Sequence, residues 1–224
     1  MTFLQRHSSL PYVLPFLAFV GFLALYPFNP LPDRTEALLR VVALSGVLWI
    51  FSKEVISLRV SRRRGSLLLG VCVFLAWVAP DLLVPGYRDH WLFQNAITGP
   101  LRSSLTETAR ADSLVLGLRT FRAIILVPVI EELFWRGWMM RWLINPDFHK
   151  VALGAFTVTS FAMTALLFAS EHGPYWEVGL LAGLAYNWWM IRTRSLGDCI
   201  FAHAVTNGCL CLFVLATGKW EYWL

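Results

Sequence analysis

Three short polar clusters interrupt the apolar C-terminal half of this 224-residue chain, and each holds side chains able to move protons or hold charge. The first is Glu131-Glu132-Leu133-Phe134-Trp135-Arg136. Glu132 and Arg136 stand four apart, which on a helix puts them on one face, with the acid on the N-terminal side, the better order for a pair. Glu131 is five residues from Arg136 and points elsewhere. One acid is expected to be neutralised by Arg136, leaving the other to hold or move a proton. A buried structural ion pair accounts for Glu132 and Arg136 equally well but gives Glu131 no purpose. The second cluster is Phe168-Ala169-Ser170-Glu171-His172, with Phe168 and His172 on one face and the helix breakers Gly173 and Pro174 behind them. Alone, a His at a helix end reads as a cap or an interface residue. The third is His203-Ala204-Val205-Thr206-Asn207, which alone reads as interhelical hydrogen bonding. Together, Glu, His, His and Asn on three helices supply a base, a second proton-handling group and donors for an oxyanion.

The elements that carry these residues must lie in a bilayer. Charged residues are 15% of the chain and hydrophobic ones 57%. A soluble domain clothes itself with roughly 25% charged residues, so this composition excludes one. The apolar runs approach the ~20 residues that a helix needs to cross hydrocarbon. The expected fold is an all-α, polytopic transmembrane helix bundle of about seven spans (six to eight), over roughly 11–28, 37–58, 65–84, 113–144, 151–172, 175–191 and 197–217. One integral membrane domain fills 1–224. Within it, 1–112 holds three helices and a polar loop, and 113–217 holds the polar clusters. The run from Pro11 is too long for a cleaved signal sequence, without a small-x-small site, and is expected to be a retained helix. A charge at the centre of a span costs ~2.5–3.5 kcal/mol on insertion scales, which makes the three clusters functional candidates. Straight helices would put Glu131, His172 and His203 at different depths. Convergence requires tilt, a kink at Pro128, or a late start of the fifth span after an interfacial segment 151–157.

The net charge of +5 sits in short loops, where topology and anionic lipid explain it, and implies no nucleic-acid partner. Arg6, the cluster Arg59, Arg62, Arg63, Arg64, then Lys150, Arg192 and Arg194 fall on one side of a seven-span chain. The positive-inside rule makes that side cytoplasmic, with the N-terminus in and the C-terminus out. The four cysteines show no CxxC spacing and read as small core residues. Trp135, Trp138, Trp142, Trp188, Trp189, Trp220 and Trp223 read as interface anchors, and Asp198 as a helix-terminal residue. Arg119 and Arg122 either line the cavity or snorkel to the surface.

EExxxR at 131–136, FxxxH at 168–172 and HxxxN at 203–207, in that order on successive helices, resemble the motifs of the CPBP family, the CAAX-protease and bacteriocin-processing group also called type II CAAX prenyl endopeptidases. The stretch GLLAGLAYNWWMIRTRSLGDCIFAHAVTN is similar to that family's link between its second and third motifs, so the likeness covers about 113–217. EELFWRGW and FASEHGPYW further resemble a bacterial branch found alongside exosortase and PEP-CTERM sorting systems. The resemblance implies glutamate-dependent intramembrane proteolysis in a bacterial inner membrane, with no cofactor. By it, Glu131 and His172 activate water, His203 and Asn207 stabilise the oxyanion, and Glu132 with Arg136 position and balance the site. The implied partners are the lipid bilayer, a membrane-associated protein or peptide substrate, and proteins of an exosortase system.

Two other readings use the same residues. Glu131, His172 and His203 make a possible His₂Glu zinc set, though HExxH is absent. Buried acids and histidines also build proton relays, so a non-enzymatic membrane protein, either a proton-coupled transporter or a binding scaffold, is the alternative. Transporters commonly carry paired repeats with interrupted helices, and this sequence has no internal repeat.

Overall fold

A computed structural model describes residues 8–223, and among these the chain is all-α, with no β-strand. Arg6 lies outside the described residues. Seven principal helices follow one another: α1 Leu10–Phe28, α2 Asp33–Ser52, α3 Arg63–Leu83, α4 Ser113–Trp142, α5 Val158–Ser170, α6 Trp176–Thr193 and α7 Leu196–Thr217. Helices α1 to α4 and α7 are long and apolar enough to cross a membrane. Helix α5 has 13 residues, and α6 carries Glu177, Asn187 and Arg192, which lower its mean apolarity. The chain is a polytopic helix bundle.

The outward faces are apolar because hydrocarbon is their solvent. Leu68 on α3 is 66% exposed and Leu212 on α7 is 70% exposed, values that water would penalise. Inside, small residues let helix backbones approach. A Cβ added to Gly70 of α3 would lie 2.4 Å from the Ala202 carbonyl oxygen and 2.7 Å from Val205 Cβ, so α3 and α7 touch there at backbone distance. Gly183 does the same for α6 against α5, where an added Cβ would lie 3.1 Å from Ala165 Cα.

Helix α4 reaches 30 residues by changing its winding. The Val127 N–H donates to the Arg122 carbonyl, five residues back, in a π-helical stretch Arg122–Leu126. Pro128 follows immediately. A proline has no N–H and its ring crowds the carbonyl four residues earlier, and the wider turn accommodates both defects. A second π-helical stretch, Leu133–Met139, begins just after Glu132. These two widenings set the faces on which Glu131, Glu132 and Arg136 emerge.

Helix α5 begins only at Val158. Thr157 Oγ1 accepts the Ser160 N–H at 3.1 Å and Ser160 Oγ accepts the Thr157 N–H at 3.3 Å, a reciprocal cap that fixes the start. The preceding segment 151–157 is not helical. It passes so close to α6 that a Cβ on Gly154, at φ +74°, would lie 2.6 Å from the Met190 carbonyl oxygen.

Two expectations change here, and a third gains detail. Trp135, Trp189 and Trp223 are buried at 4%, 8% and 5% exposure, so they pack the interior and are not interface anchors. Trp135 stands edge-on to Phe16 and Phe168, and Trp189 Nε1 donates to Ser66 Oγ. Cys72 is exposed while Cys199 and Cys211 are buried, so not every cysteine belongs to the core. Asp198 does sit in the first turn of α7, but it is fully buried and its Oδ1 accepts the backbone N–H groups of Ser61 and Arg62. That carboxylate ties the basic 59–64 loop to the start of α7.

Candidate active site

The site grows from α4. Glu132 and Arg136 are both fully buried, and Arg136 Nη1 donates to Glu132 Oε1 at 3.0 Å. The rest of the guanidinium is also held: Nε donates to Asn187 Oδ1 at 3.0 Å and Nη2 to the Gly183 carbonyl at 3.2 Å. Its face lies 4.6 Å from the Phe168 ring centroid, a cation–π contact in a dry environment. Asn187 Nδ2 donates in turn to the Phe161 carbonyl, so Arg136 is clamped by α5 and α6 together.

Helix α7 supplies the third group. His203 Nδ1 lies 2.9 Å from the same Glu132 Oε1, and its ring stacks on Tyr186 at 5.1 Å. The Tyr186 hydroxyl donates to Thr206 Oγ1 at 2.7 Å, and Thr206 donates to the Gly70 carbonyl at 2.9 Å. The close approach at Gly70 thus reaches the imidazole through two hydrogen bonds. A carboxylate only accepts, so in a bond to a Glu132 carboxylate it is His203 Nδ1 that donates.

His172 ends α5. Its Nδ1 lies 2.8 Å from the Phe168 carbonyl oxygen, an acceptor only, so Nδ1 carries the proton and the neutral ring has its lone pair on Nε2. Trp77 stands edge-on to the ring at 5.2 Å. Gly179 of α6 backs it, because a Cβ there would come within 3.1 Å of the imidazole. The turn after His172 is pinned from outside the spans. Arg88 Nη1 donates to the Pro174 carbonyl, and Arg88 pairs with Asp81 at 2.8 Å and Glu177 at 2.7 Å. Burial of Arg88 works against its charge, but Glu177 and then Asp81 outweigh it and hold the guanidinium above its ordinary pKa.

Glu131, His172, His203 and Asn207 all line one cavity of about 380 Å³. The late start of α5 and the widened turns of α4 bring together residues that straight helices would separate. Glu132 and Arg136 lie behind the cavity wall. Glu131 is 6% exposed and its Oε2 has no hydrogen-bond partner among the described residues. Asn207 Nδ2 donates to the Ala123 carbonyl at 2.8 Å, within the first widened stretch of α4, and leaves a second N–H and an acceptor for the cavity. Among the described residues no group of three His, Cys, Asp or Glu side chains is placed to hold a metal ion.

Four participants had escaped the sequence reading. Glu171 also lines the cavity, beside Trp135. Its position next to His172 was visible, but nothing marked it as cavity-facing. Asn187 carried a usable signal, a polar amide in an apolar helix. Tyr186 and Trp77 carried none, because aromatic residues are ordinary in such helices. Arg119 and Arg122, left open by the sequence, line the cavity.

Residues 113–209 match the family described as type II CAAX prenyl endopeptidase Rce1-like. No curated protein and no solved structure matched the chain.

Proposed function

We propose, from the match of residues 113–209 to the type II CAAX prenyl endopeptidase Rce1-like family, an intramembrane endopeptidase that hydrolyses a peptide bond of a membrane-associated protein or peptide with a Glu/His-activated water. The observation that carries this reading is the single cavity lined by Glu131, His172, His203 and Asn207, contributed by α4, the turn after α5, and α7.

Water bound between Glu131 and His172 Nε2 gives up a proton as its oxygen attacks the carbonyl carbon. The carbonyl oxygen becomes an oxyanion. The free N–H of Asn207 and Nε2–H of an imidazolium His203 donate to it, and Glu132 supports the imidazolium charge. Collapse re-forms the carbonyl, breaks the C–N bond and returns the proton to the departing amine. Arg136 and Asn187 hold Glu132 in place throughout, which makes them positioning residues. Preorganised donors of this kind are worth about 10²–10³ in kcat each.

The exosortase-associated wording of EELFWRGW and FASEHGPYW supports a bacterial peptide or sorting tail over a prenylated protein as substrate, in an inner membrane that also holds exosortase-system proteins. The test is cleavage of a panel of membrane-anchored reporter peptides by purified protein, beside Glu131→Gln and His172→Ala. Loss of cleavage in both folded variants is expected. Equal cleavage by Glu131→Gln would remove Glu131 as the base.

A further inference from the structure

Away from the proposed active site, a cavity of about 660 Å³ lies between the first turn of α3 and the last turn of α6. Arg62, Arg63, Arg64 and Arg192 line it, and no acidic side chain does. Among the described residues these four guanidinium groups make no hydrogen bond, ion pair or cation–π contact. Asp198 stands behind the cavity, but it is fully buried and its Oδ1 accepts the backbone N–H groups of Ser61 and Arg62 at 3.0 and 2.8 Å. Charges of one sign gathered on a concave surface concentrate anions there. A run of arginines in a loop is ordinarily a solvated face. Here a fixed wall makes it a site. Trp189 is 8% exposed, and its Nε1 donates to Ser66 Oγ at 3.1 Å. Ser66 Oγ donates in turn to Asp198 Oδ1 at 3.4 Å. Gly65 leaves room for the indole, because a Cβ there would lie 2.6 Å from Trp189 Cη2.

We propose that this cavity binds the phosphate headgroup of an anionic phospholipid. The planar forks of arginine match phosphate oxygens, and basic pockets between membrane helices are suited to such headgroups. The surface below the cavity makes the occupant a lipid and not a free phosphate. Arg64 and Leu68 are four apart on α3, and Trp188 and Arg192 are four apart on α6. Each cation therefore shares a helix face with an apolar side chain deeper in the span. Leu68 is 66% exposed and Trp188 51%, so these faces are open to hydrocarbon. Four residues of helix rise about 6 Å. A phosphate at the arginines thus leaves its acyl chains to run along Leu68, with the Trp188 indole at the level of the ester groups, where tryptophan is favoured. Arg63 is the first residue of an apolar span, which sets the cavity at the membrane–water boundary. Binding here does not depend on the endopeptidase reading.

The full-length protein in neutral detergent is titrated with phosphatidylglycerol, with phosphatidylcholine and with inorganic pyrophosphate. Bound lipid is read by native mass spectrometry beside thermal unfolding. Phosphatidylglycerol is expected to stay bound and to raise Tm, and phosphatidylcholine at the same concentration to do neither. Each arginine near a membrane surface is worth about fivefold in affinity, so Arg64→Gln with Arg192→Gln is expected to weaken phosphatidylglycerol binding by about 30-fold. Arg59→Gln with Arg194→Gln removes the same charge from the same side of the protein but outside the cavity, and is expected to bind like the wild type. All four arginines are exposed, so both pairs leave the fold intact. Equal weakening by the two pairs shows diffuse attraction to a basic face and overturns the site. Undiminished binding in Arg64→Gln with Arg192→Gln, or equal binding of phosphatidylcholine by the wild type, overturns it too. A Tm rise with pyrophosphate as large as that with phosphatidylglycerol identifies a soluble phosphate as the occupant and overturns the lipid assignment.

Discussion

His203 Nδ1 meets Glu132 Oε1 at 2.9 Å across 71 residues of sequence, on the same oxygen that accepts from Arg136. The carboxylate is therefore shared between a fixed cation and an imidazole whose far nitrogen faces the cavity. This relationship divides the two adjacent acids. In the proposed mechanism Glu132 balances charge, and Glu131 is left for chemistry.

Truncating Glu132 is expected to unfold the protein more readily than truncating Glu131. Glu132→Ala leaves Arg136 fully buried without its carboxylate, and removing one partner of a buried pair costs about 3–5 kcal/mol. Glu131→Gln removes a group with an unpartnered Oε2 and is expected to change stability little while lowering kcat by about 10²–10⁴. Thermal unfolding in detergent, read beside cleavage rates, checks both. Equal destabilisation by the two variants contradicts the division of roles.

Gly179→Ala tests the seat of His172. The new methyl would lie 3.1 Å from the imidazole, so the ring must shift by a few tenths of an ångström to admit it. Small misplacements of a catalytic group lower rates by up to about 10²-fold, and a drop of about tenfold in kcat is expected with an intact fold. An unchanged kcat shows that the position of His172 is not critical.

Asp112 gives an acid-range prediction outside the spans. Its carboxyl is held below the usual range, first by the hydrogen bond from Arg34 Nε at 2.5 Å and then by the N–H groups of Val115 and Leu114 at the start of α4. A lowered folded pKa stabilises above the ordinary carboxylate range and is lost as pH falls through the folded value. The Tm difference between wild type and Asp112→Ala is therefore expected to be present at neutral pH, to shrink below about pH 4, and to shrink also with added salt. A difference that is constant down to pH 2 removes the charge argument.

By the positive-inside rule, basic loops on one side of seven helices lead us to propose a cytoplasmic N-terminus and a C-terminus on the other side. A C-terminal reporter active only in the cytoplasm is expected to stay silent. A signal from it reverses the orientation or changes the number of spans.

The sequence by itself determined that the chain is a membrane helix bundle, because too few charges and long apolar runs leave no other solvent for it. It also determined the Glu132–Arg136 pair, since a four-residue helical spacing is a local geometric fact. Convergence was a tertiary matter. The start of α5 depends on the Thr157–Ser160 cap and on how closely Gly154 can pass α6, and neither contact is written in hydropathy. The widened turns around Pro128 rotate the faces of α4 in a way that a regular 3.6-residue repeat cannot foresee. Buried tryptophans mislead for a related reason: an indole suits an interface and a protein interior alike, and only the neighbours it finds decide between them. The partners of Arg136 on α5 and α6, and the cavity that gathers Arg119 and Arg122 with Glu131, exist only once separate helices have packed.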